Sequence, residues 1–282
     1  MGIQTDDGWA MSMVMDANET DASDAVRRRQ PLARGIELLT HMVESPQDAH
    51  GVRELAGVLD VSPSTAHRLI TDLEKIGMVR RTENGTSYRL GLDFLRLAWL
   101  ASSRYPMHDI SENLLRDLVA RTGESAFSCL YNEQRRSMMF TMSVESSHPL
   151  QYALPLQKWL PLHGGASGLA IFAELPDARR EALAHSGLEP ITVNTVTDPD
   201  AVLARLTDIH AAGYAITHGE RIEGAVAIAA PTFGPAGEVV GSVGLSIPEA
   251  RFDEARTAAF AEAVRTTAAQ FTARIQGSNR SS

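Results

Sequence analysis

The chain has 282 residues, carries a formal net charge of −9 and is 44% hydrophobic, apolar enough for the cores of two ordinary domains. The acidity excludes a general nucleic-acid coat. The single cysteine, Cys129, excludes an intramolecular disulfide or a Cys-based zinc cluster and points to a reducing, cytoplasmic setting. No apolar run reaches the roughly 18 residues that a membrane span needs, so no membrane partner is expected.

Residues 1–26 are acidic and rich in small side chains, without the basic start and apolar centre of a signal peptide, and read as a disordered acidic tail. Arg27-Arg28-Arg29 follow and read equally as an arm over a duplex backbone or as solvated charge. The first amphipathic helix begins near Arg34, with Leu32, Ile36, Leu38, Leu39, Met42 and Val43 as its apolar positions. A second short helix, Val52 to Leu59, sets Leu55, Ala56 and Leu59 on one face, and Asp60-Val61-Ser62 turns the chain. Ser62 suits an N-cap and Pro63 the first helical position, where its missing amide costs nothing. The helix from Pro63 to Ile76 turns Ala66, Leu69, Ile70, Leu73 and Ile76 inward, and Gly77 supplies a left-handed stop. Ser64, Thr65, His67, Arg68 and Thr71 are left facing water, with donors and acceptors able to reach phosphates and base edges in a major groove.

Met78 to Arg81 and Ser87 to Leu90 alternate apolar and polar around Glu83-Asn84-Gly85-Thr86, a strong hairpin signal. A helix-turn-helix followed by such a ribbon is a winged helix. Its DNA-binding candidates are Arg34, Ser62, Ser64, Thr65, His67, Arg68 and Thr71, with Arg80, Arg81 and Arg89 on the sugar–phosphate backbone. Charge divides the chain in the same way. Residues 27–89 hold ten Lys/Arg against eight Asp/Glu, a net of +2, while the remainder carries −11 and would be repelled by a duplex.

Leu92 to Ser103 reads as a further helix, apolar on too many sides for a free linker; covering Trp99 and its neighbours is most simply done by a second copy of the chain. Beyond Pro106, helices are expected at Met107–Thr122, Ala166–Glu174, Asp177–Ala184, Pro199–Ala212 and Glu249–Ile275. Strands are expected at Ser125–Tyr131, Ser137–Val144, Leu150–Leu154, Tyr214–Thr217, Ala225–Phe233 and Val239–Ser246. The pattern implies an α+β domain on one central antiparallel sheet. The expected division is a tail at 1–26, a winged helix-turn-helix domain at 27–91, a linker helix for dimerisation at 92–104, a sensor domain at 105–276 and a tail at 277–282.

The order of motifs resembles the IclR-type transcriptional regulators over about residues 30 to 275. The resemblance rests on Leu32-Ala-Arg34-Gly-Ile-Glu-Leu-Leu39, the helix-turn-helix and wing, Leu160-Pro-Leu-His163-Gly-Gly-Ala-Ser-Gly168, Gly213-Tyr-Ala215 and Glu220-Arg-Ile-Glu-Gly224-Ala-Val-Ala-Ile-Ala-Ala-Pro231. It implies a GAF-like effector domain, a homodimer or a dimer of dimers, a pseudo-palindromic operator DNA and control by a small metabolite. It also implies effector contacts at Ala166, Ser167, Thr217, Ala227, Gly244 and Ser246. Thr217 stands where the family pattern for small keto acids has Asp, Ala227 where Cys is common and Gly244 where Ser occurs. These differences read either as packing substitutions or as an enlarged, less polar pocket for an aromatic acid or its amide or hydrazide. In the second case Met138, Phe140, Met142, Tyr152, Leu154 and Trp159 would supply apolar walls.

An enzyme is the rival class. Gly165-Ala-Ser167-Gly-Leu169 misses the last glycine of a nucleophile elbow, and no zinc-protease or phosphate-loop motif is present. His163 with Glu220 or Glu223 could be drawn as a base and its orienter, though spacing alone does not bring them together; a histidine bonded to backbone at a helix start is the plainer reading. No catalytic residue, cofactor or metal centre is therefore expected. The expected function is a ligand-responsive repressor of a catabolic pathway, the alternative a sensor-like hydrolase or protein scaffold without an operator.

Overall fold

The computed structural model describes residues 31–104 and 107–278. The disordered-tail reading of residues 1–26 and the Arg27–Arg29 arm therefore lie outside the described residues. The chain falls into two compact units, one ending at Arg104 and one beyond it, and each is described by itself.

The first unit begins with α1 (Pro31–Glu44), followed by β1 (His50–Gly51), α2 (Val52–Val58), α3 (Pro63–Lys75), β2 (Val79–Arg81), β3 (Ser87–Leu90) and α4 (Leu92–Arg104). Its core joins Leu38, Leu39 and Met42 of α1 to Leu55, Leu59, Leu69, Ile70, Val79 and Tyr88. Each such side chain removed from water contributes on the order of 1.5–3 kcal/mol. The Ser62 hydroxyl accepts the Thr65 amide at 3.3 Å, capping α3 as its sequence implies. Gly77 takes φ +72°, ending α3 where a Cβ would be strained. The two residues of β1, not anticipated in the sequence, make the wing a three-stranded sheet of order β1-β3-β2.

Four expected core positions are exposed. Leu32, Ile36 and Val43 lie on a stripe of α1 beside the one that holds Gly35, Leu38, Leu39 and Met42, and one helix face cannot bury both. Ile76 is the C-cap of α3, where the chain is already turning away at Gly77. On α4, Leu92, Leu95, Leu97, Trp99 and Leu100 are also exposed, as its composition implies.

The second unit opens with α5 (Met107–Thr122), β4 (Ser125–Asn132), β5 (Ser137–Val144), β6 (Trp159–Pro161) and α6 (Ala166–Phe172). It continues through α7 (Asp177–Ala184), α8 (Pro199–Ala212), β7 (Ala215–His218), β8 (Ala225–Phe233), β9 (Val239–Pro248) and α9 (Thr257–Ser278). Six strands form one antiparallel sheet, order β6-β5-β4-β9-β8-β7. Alternation along β9 sorts its two faces: Val243, Leu245 and Ile247 pack with α5 and α9, while Ser242, Gly244 and Ser246 point to the face that carries α6. The α6 face is filled by Phe127, Cys129, Met138, Phe140, Leu162, Leu169 and Phe172 together with Leu206 of α8.

Two elements differ from expectation. Residues 150–154 form no strand, because the segment lies between Pro149 and Pro155, and Gln151 spends its side-chain amide on the Ser146 and His148 carbonyls; the edge strand is instead Trp159–Pro161. The last helix starts at Thr257, eight residues later than expected. Phe252 is extended, Asp253 caps the Ala255 amide, and two short 3₁₀ turns replace the first helical turns. There Arg251 donates a fork of hydrogen bonds, 2.6–3.1 Å long, to the buried carboxylate of Glu124. Among the described residues, no helix is long and apolar enough to cross a membrane.

Candidate nucleic-acid interface and ligand cavity

On α3, Ser64, His67 and Arg68 are exposed, and Thr65 and Thr71 are partly so. The periodicity of the helix causes this: with Ala66, Leu69 and Ile70 inward, the polar positions must share the opposite face. Three hydroxyls cluster at the start of that face, Ser62 Oγ lying 2.9 Å from both Ser64 Oγ and Thr65 Oγ1. Thr71 turns back to its own helix, donating to the His67 carbonyl at 2.8 Å. Arg34 is partly buried on α1.

The wing holds three arginines in different ways. Arg81 is fixed: it donates to Tyr88 Oη at 2.7 Å, stacks on that ring at 5.1 Å and lies 3.8 Å from Glu74. Arg80 and Arg89 stand directly opposite each other across β2 and β3, and Arg89 Nε is buried without a hydrogen-bond partner. Together with Thr82, Asn84 and Ser87 the three line an open groove along the ribbon. Like charges facing each other across a strand pair repel, and an anion between them reverses that cost.

In the second unit, strand register brings three of the expected effector residues into line. Thr217 pairs with Ala227, and Ala227 with Ser246, so the three side chains sit abreast on β7, β8 and β9. Ala166 and Ser167 close the same space from α6, the Ala166 amide donating to Thr217 Oγ1 at 3.1 Å. Phe127, Phe140, Leu154, Ile222 and Arg221 complete the walls. The cavity so formed is about 30 Å³, room for about two water-sized groups.

The departure from the family pattern at Gly244 does not widen this cavity. Gly244 does not open space: a Cβ there would lie 2.7 Å from Phe127 Cζ and run into the Ile228 carbonyl, so the missing side chain makes room for the Phe127 ring. Of the six proposed apolar walls, only Phe140 and Leu154 line the cavity, and Met138 is core beside it. Met142 packs on the opposite face with α5 and α9. The cause is a β-bulge: Ser128 pairs with Met142 but Cys129 with Phe140, leaving Thr141 as an extra residue that breaks the alternation. Tyr152 instead places its hydroxyl against Gly224, and Trp159 is exposed with Arg135 stacked over it at 5.3 Å.

Arg221 is the residue that sequence reasoning passed over, although it stands inside the quoted Glu220–Gly224 stretch. It donates to the Pro161 carbonyl at 2.7 Å, while its Nε is buried with no hydrogen-bond partner. Burial pushes the guanidinium down to about 10, which leaves it a cation at neutral pH. A single Arg between two Glu carries no periodic signal. Neighbouring Glu220 also reaches the cavity, but its carboxylate is taken up by Arg205 at 2.7 and 2.9 Å.

The base-and-orienter arrangement does not form. His163 Nε2 is bonded to the Glu189 carbonyl at 2.7 Å, and Glu220 is paired with Arg205. Cys129 is buried, and desolvation pushes its thiol up to about 12, far from a nucleophile's range.

Comparison with known proteins agrees with this geometry. The IclR helix-turn-helix domain family matches residues 31–83, and the bacterial transcriptional regulator IclR C-terminal family matches residues 100–273. The chain is 31% identical over 212 residues to the HTH-type transcriptional regulator BhcR of Paracoccus denitrificans, covering 75% of each chain. It is 26% identical over 251 residues to the transcriptional repressor IclR of Escherichia coli, covering 86% of this chain and 89% of that one. In fold it is similar, at a TM-score of 0.72 and 22% identity, to the crystal structure of an IclR homologue from Microbacterium hydrocarbonoxydans complexed with 4-hydroxybenzoate. That likeness covers 88% of this chain and all of the other (100%).

Proposed function

Because this chain belongs to the IclR family of DNA-binding transcriptional regulators, we propose that it is a cytoplasmic repressor of a catabolic pathway, released from its operator by a small organic acid. The observation that carries the DNA-binding half is the joint exposure of Ser64, His67 and Arg68 on α3, with Thr65 partly exposed among them, and the facing Arg80 and Arg89 of the wing. The helix reads base edges and the wing takes phosphates. The exposed apolar side chains of α4, led by Leu92, Leu95 and Leu100, pair two copies, and a two-fold dimer reads a pseudo-palindromic operator. Two such dimers form the tetramer.

The effector half rests on the cavity between α6 and the sheet. Its carboxylate partner is Arg221, aided by the hydroxyls of Ser246 and Thr217, and its apolar end packs on Phe127 and Phe140. An aromatic acid, or its amide or hydrazide, exceeds 30 Å³ and enters by displacing Leu154, which lies on an irregular segment outside the sheet. The homologue bound to 4-hydroxybenzoate is consistent with an acid of that size in this fold.

The test is a gel shift on the DNA upstream of the chain's own gene, run across a salt series with and without benzoate-type and keto acids. A steep loss of affinity with salt and release by one acid class are expected. Salt-independent or absent binding would favour the scaffold alternative.

A further inference from the structure

Outside both sites, the helix-turn-helix unit gathers three groups capable of holding a metal. His41 comes from the end of α1, His50 from β1 and Glu54 from the first turn of α2, and one ligand atom from each lies within 4.8 Å of the others. We propose that His41, His50 and Glu54 form a binding site for a divalent cation of the zinc class.

The argument begins with His50, which is buried. Its Nε2 lies 3.1 Å from the Gln47 carbonyl, which can only accept, so Nε2 carries a proton. Nδ1 faces Glu54 Oε1, a second acceptor, at 2.7 Å, so its proton is the one that an incoming cation would release to solvent to gain the nitrogen lone pair. A ligating histidine that donates its other N–H to a backbone carbonyl is the usual outer arrangement of a zinc site. Glu54 is held from behind as well, its Oε2 accepting the Gly51 amide at 3.2 Å.

His41 supplies the independent observation. Its Nε2 is buried with no hydrogen-bond partner, yet it lies 3.8 Å from the same Glu54 Oε1 that faces His50. A His–Glu hydrogen bond alone accounts for His50 and Glu54; it does not account for a second imidazole nitrogen turned toward one shared oxygen. Ligands 2.0–2.1 Å from a tetrahedral metal stand about 3.4 Å apart. The observed 2.7 and 3.8 Å bracket that value, and the two imidazole nitrogens lie within 4.8 Å of each other, so side-chain shifts of up to about 1 Å close the triangle. Two imidazoles and a carboxylate form the mixed nitrogen–oxygen set that zinc favours over magnesium or calcium. The His41 and Glu54 side chains remain 32% and 39% exposed, which leaves the fourth position to water. Bound there, the cation would tie the end of α1 to the wing strand β1 and to α2, and α1 and α2 are the helices against which α3 is packed.

The test uses the full chain, stripped with a chelator and titrated calorimetrically with Zn²⁺, alongside Co²⁺ as a spectroscopic probe. One site per chain, a melting temperature raised by Zn²⁺ and returned by chelator, and an intense four-coordinate Co²⁺ band are expected. His41→Gln and Glu54→Gln should each weaken binding at least tenfold, while His185→Gln, an exposed histidine of the other unit, should leave it unchanged. A Co²⁺ spectrum no different from the aqua ion, or equal Zn²⁺ affinity in wild type and both site variants, would overturn the assignment. The wild-type spectrum decides the matter even if a variant folds poorly.

Discussion

Arg80 pairs with Arg89 across β2 and β3, so two guanidinium-bearing residues face each other on one short ribbon. A pair of this kind weakens the hairpin by itself and gains when a phosphate comes between its members. Stability and binding therefore pull in opposite directions. Arg80→Gln should leave thermal stability unchanged or raise it by a few tenths of a kcal/mol, while weakening binding to DNA of any sequence. The slope of log affinity against log salt should fall by about one. An unchanged salt slope, read from gel shifts, would remove the wing from the phosphate contacts.

Arg68 differs because it stands on the exposed face of α3. Arg68→Ala should cost about 1–3 kcal/mol of operator affinity if the side chain reads a base, with the fold intact. Ser62→Ala would be a misleading companion, since it removes the α3 cap and costs about 1 kcal/mol of stability. Comparing operator with scrambled DNA for both variants separates reading from folding.

The cavity predictions turn on Arg221 and Ala227. Arg221→Gln should lower affinity for an acid effector while leaving affinity for its uncharged amide nearly unchanged, as calorimetry with the two compounds would reveal. Ala227→Phe introduces a ring into about 30 Å³ and should cost about 1–3 kcal/mol by overpacking. The variant should bind DNA yet ignore the effector. Normal release of DNA by that variant would place the effector elsewhere.

Cys129 offers a pH dependence with a definite sign. Its folded thiol lies at about 12, against an ordinary value near 9, because burial disfavours the thiolate. Below pH 8 both states keep the proton and the group contributes nothing. Between about pH 9 and 12 the unfolded chain releases a proton that the folded chain retains, so stability falls as pH rises. By pH 10 the loss should be about 1–2 kcal/mol. Urea unfolding at pH 8 and pH 10 should show a larger drop in the wild type than in Cys129→Ala.

Arg251→Ala leaves the Glu124 carboxylate buried without its cation and should cost about 3–5 kcal/mol. Urea unfolding at neutral pH checks it.

Helix α3 was legible because its signals are local: a cap at Ser62, Pro63 behind it and apolar positions three and four residues apart. The alignment of Thr217, Ala227 and Ser246 came from motif resemblance and depends on the register of β7, β8 and β9. What stayed hidden is non-local. Gly244 could be understood only after Phe127 was seen against it, and Arg221 only after its Nε was found without a partner. His41, His50 and Glu54 lie on three elements that a two-residue strand draws together, and no pattern of spacing announces so short a strand.

The extra residue in β5 has a consequence for how this sheet tolerates change. Thr141 sets Phe140 on the cavity side and Met142 among the side chains under α5 and α9, so the two faces share one count of residues. Deleting Thr141 would make Phe140 and Met142 direct neighbours, which ordinary alternation still sends to opposite faces, so each core would keep its side chain. Thr141 is thus the position at which this strand can lose a residue without reversing a face, whereas deleting Met139 would bring Met138 and Phe140 together and turn one of the two out of the core they now share.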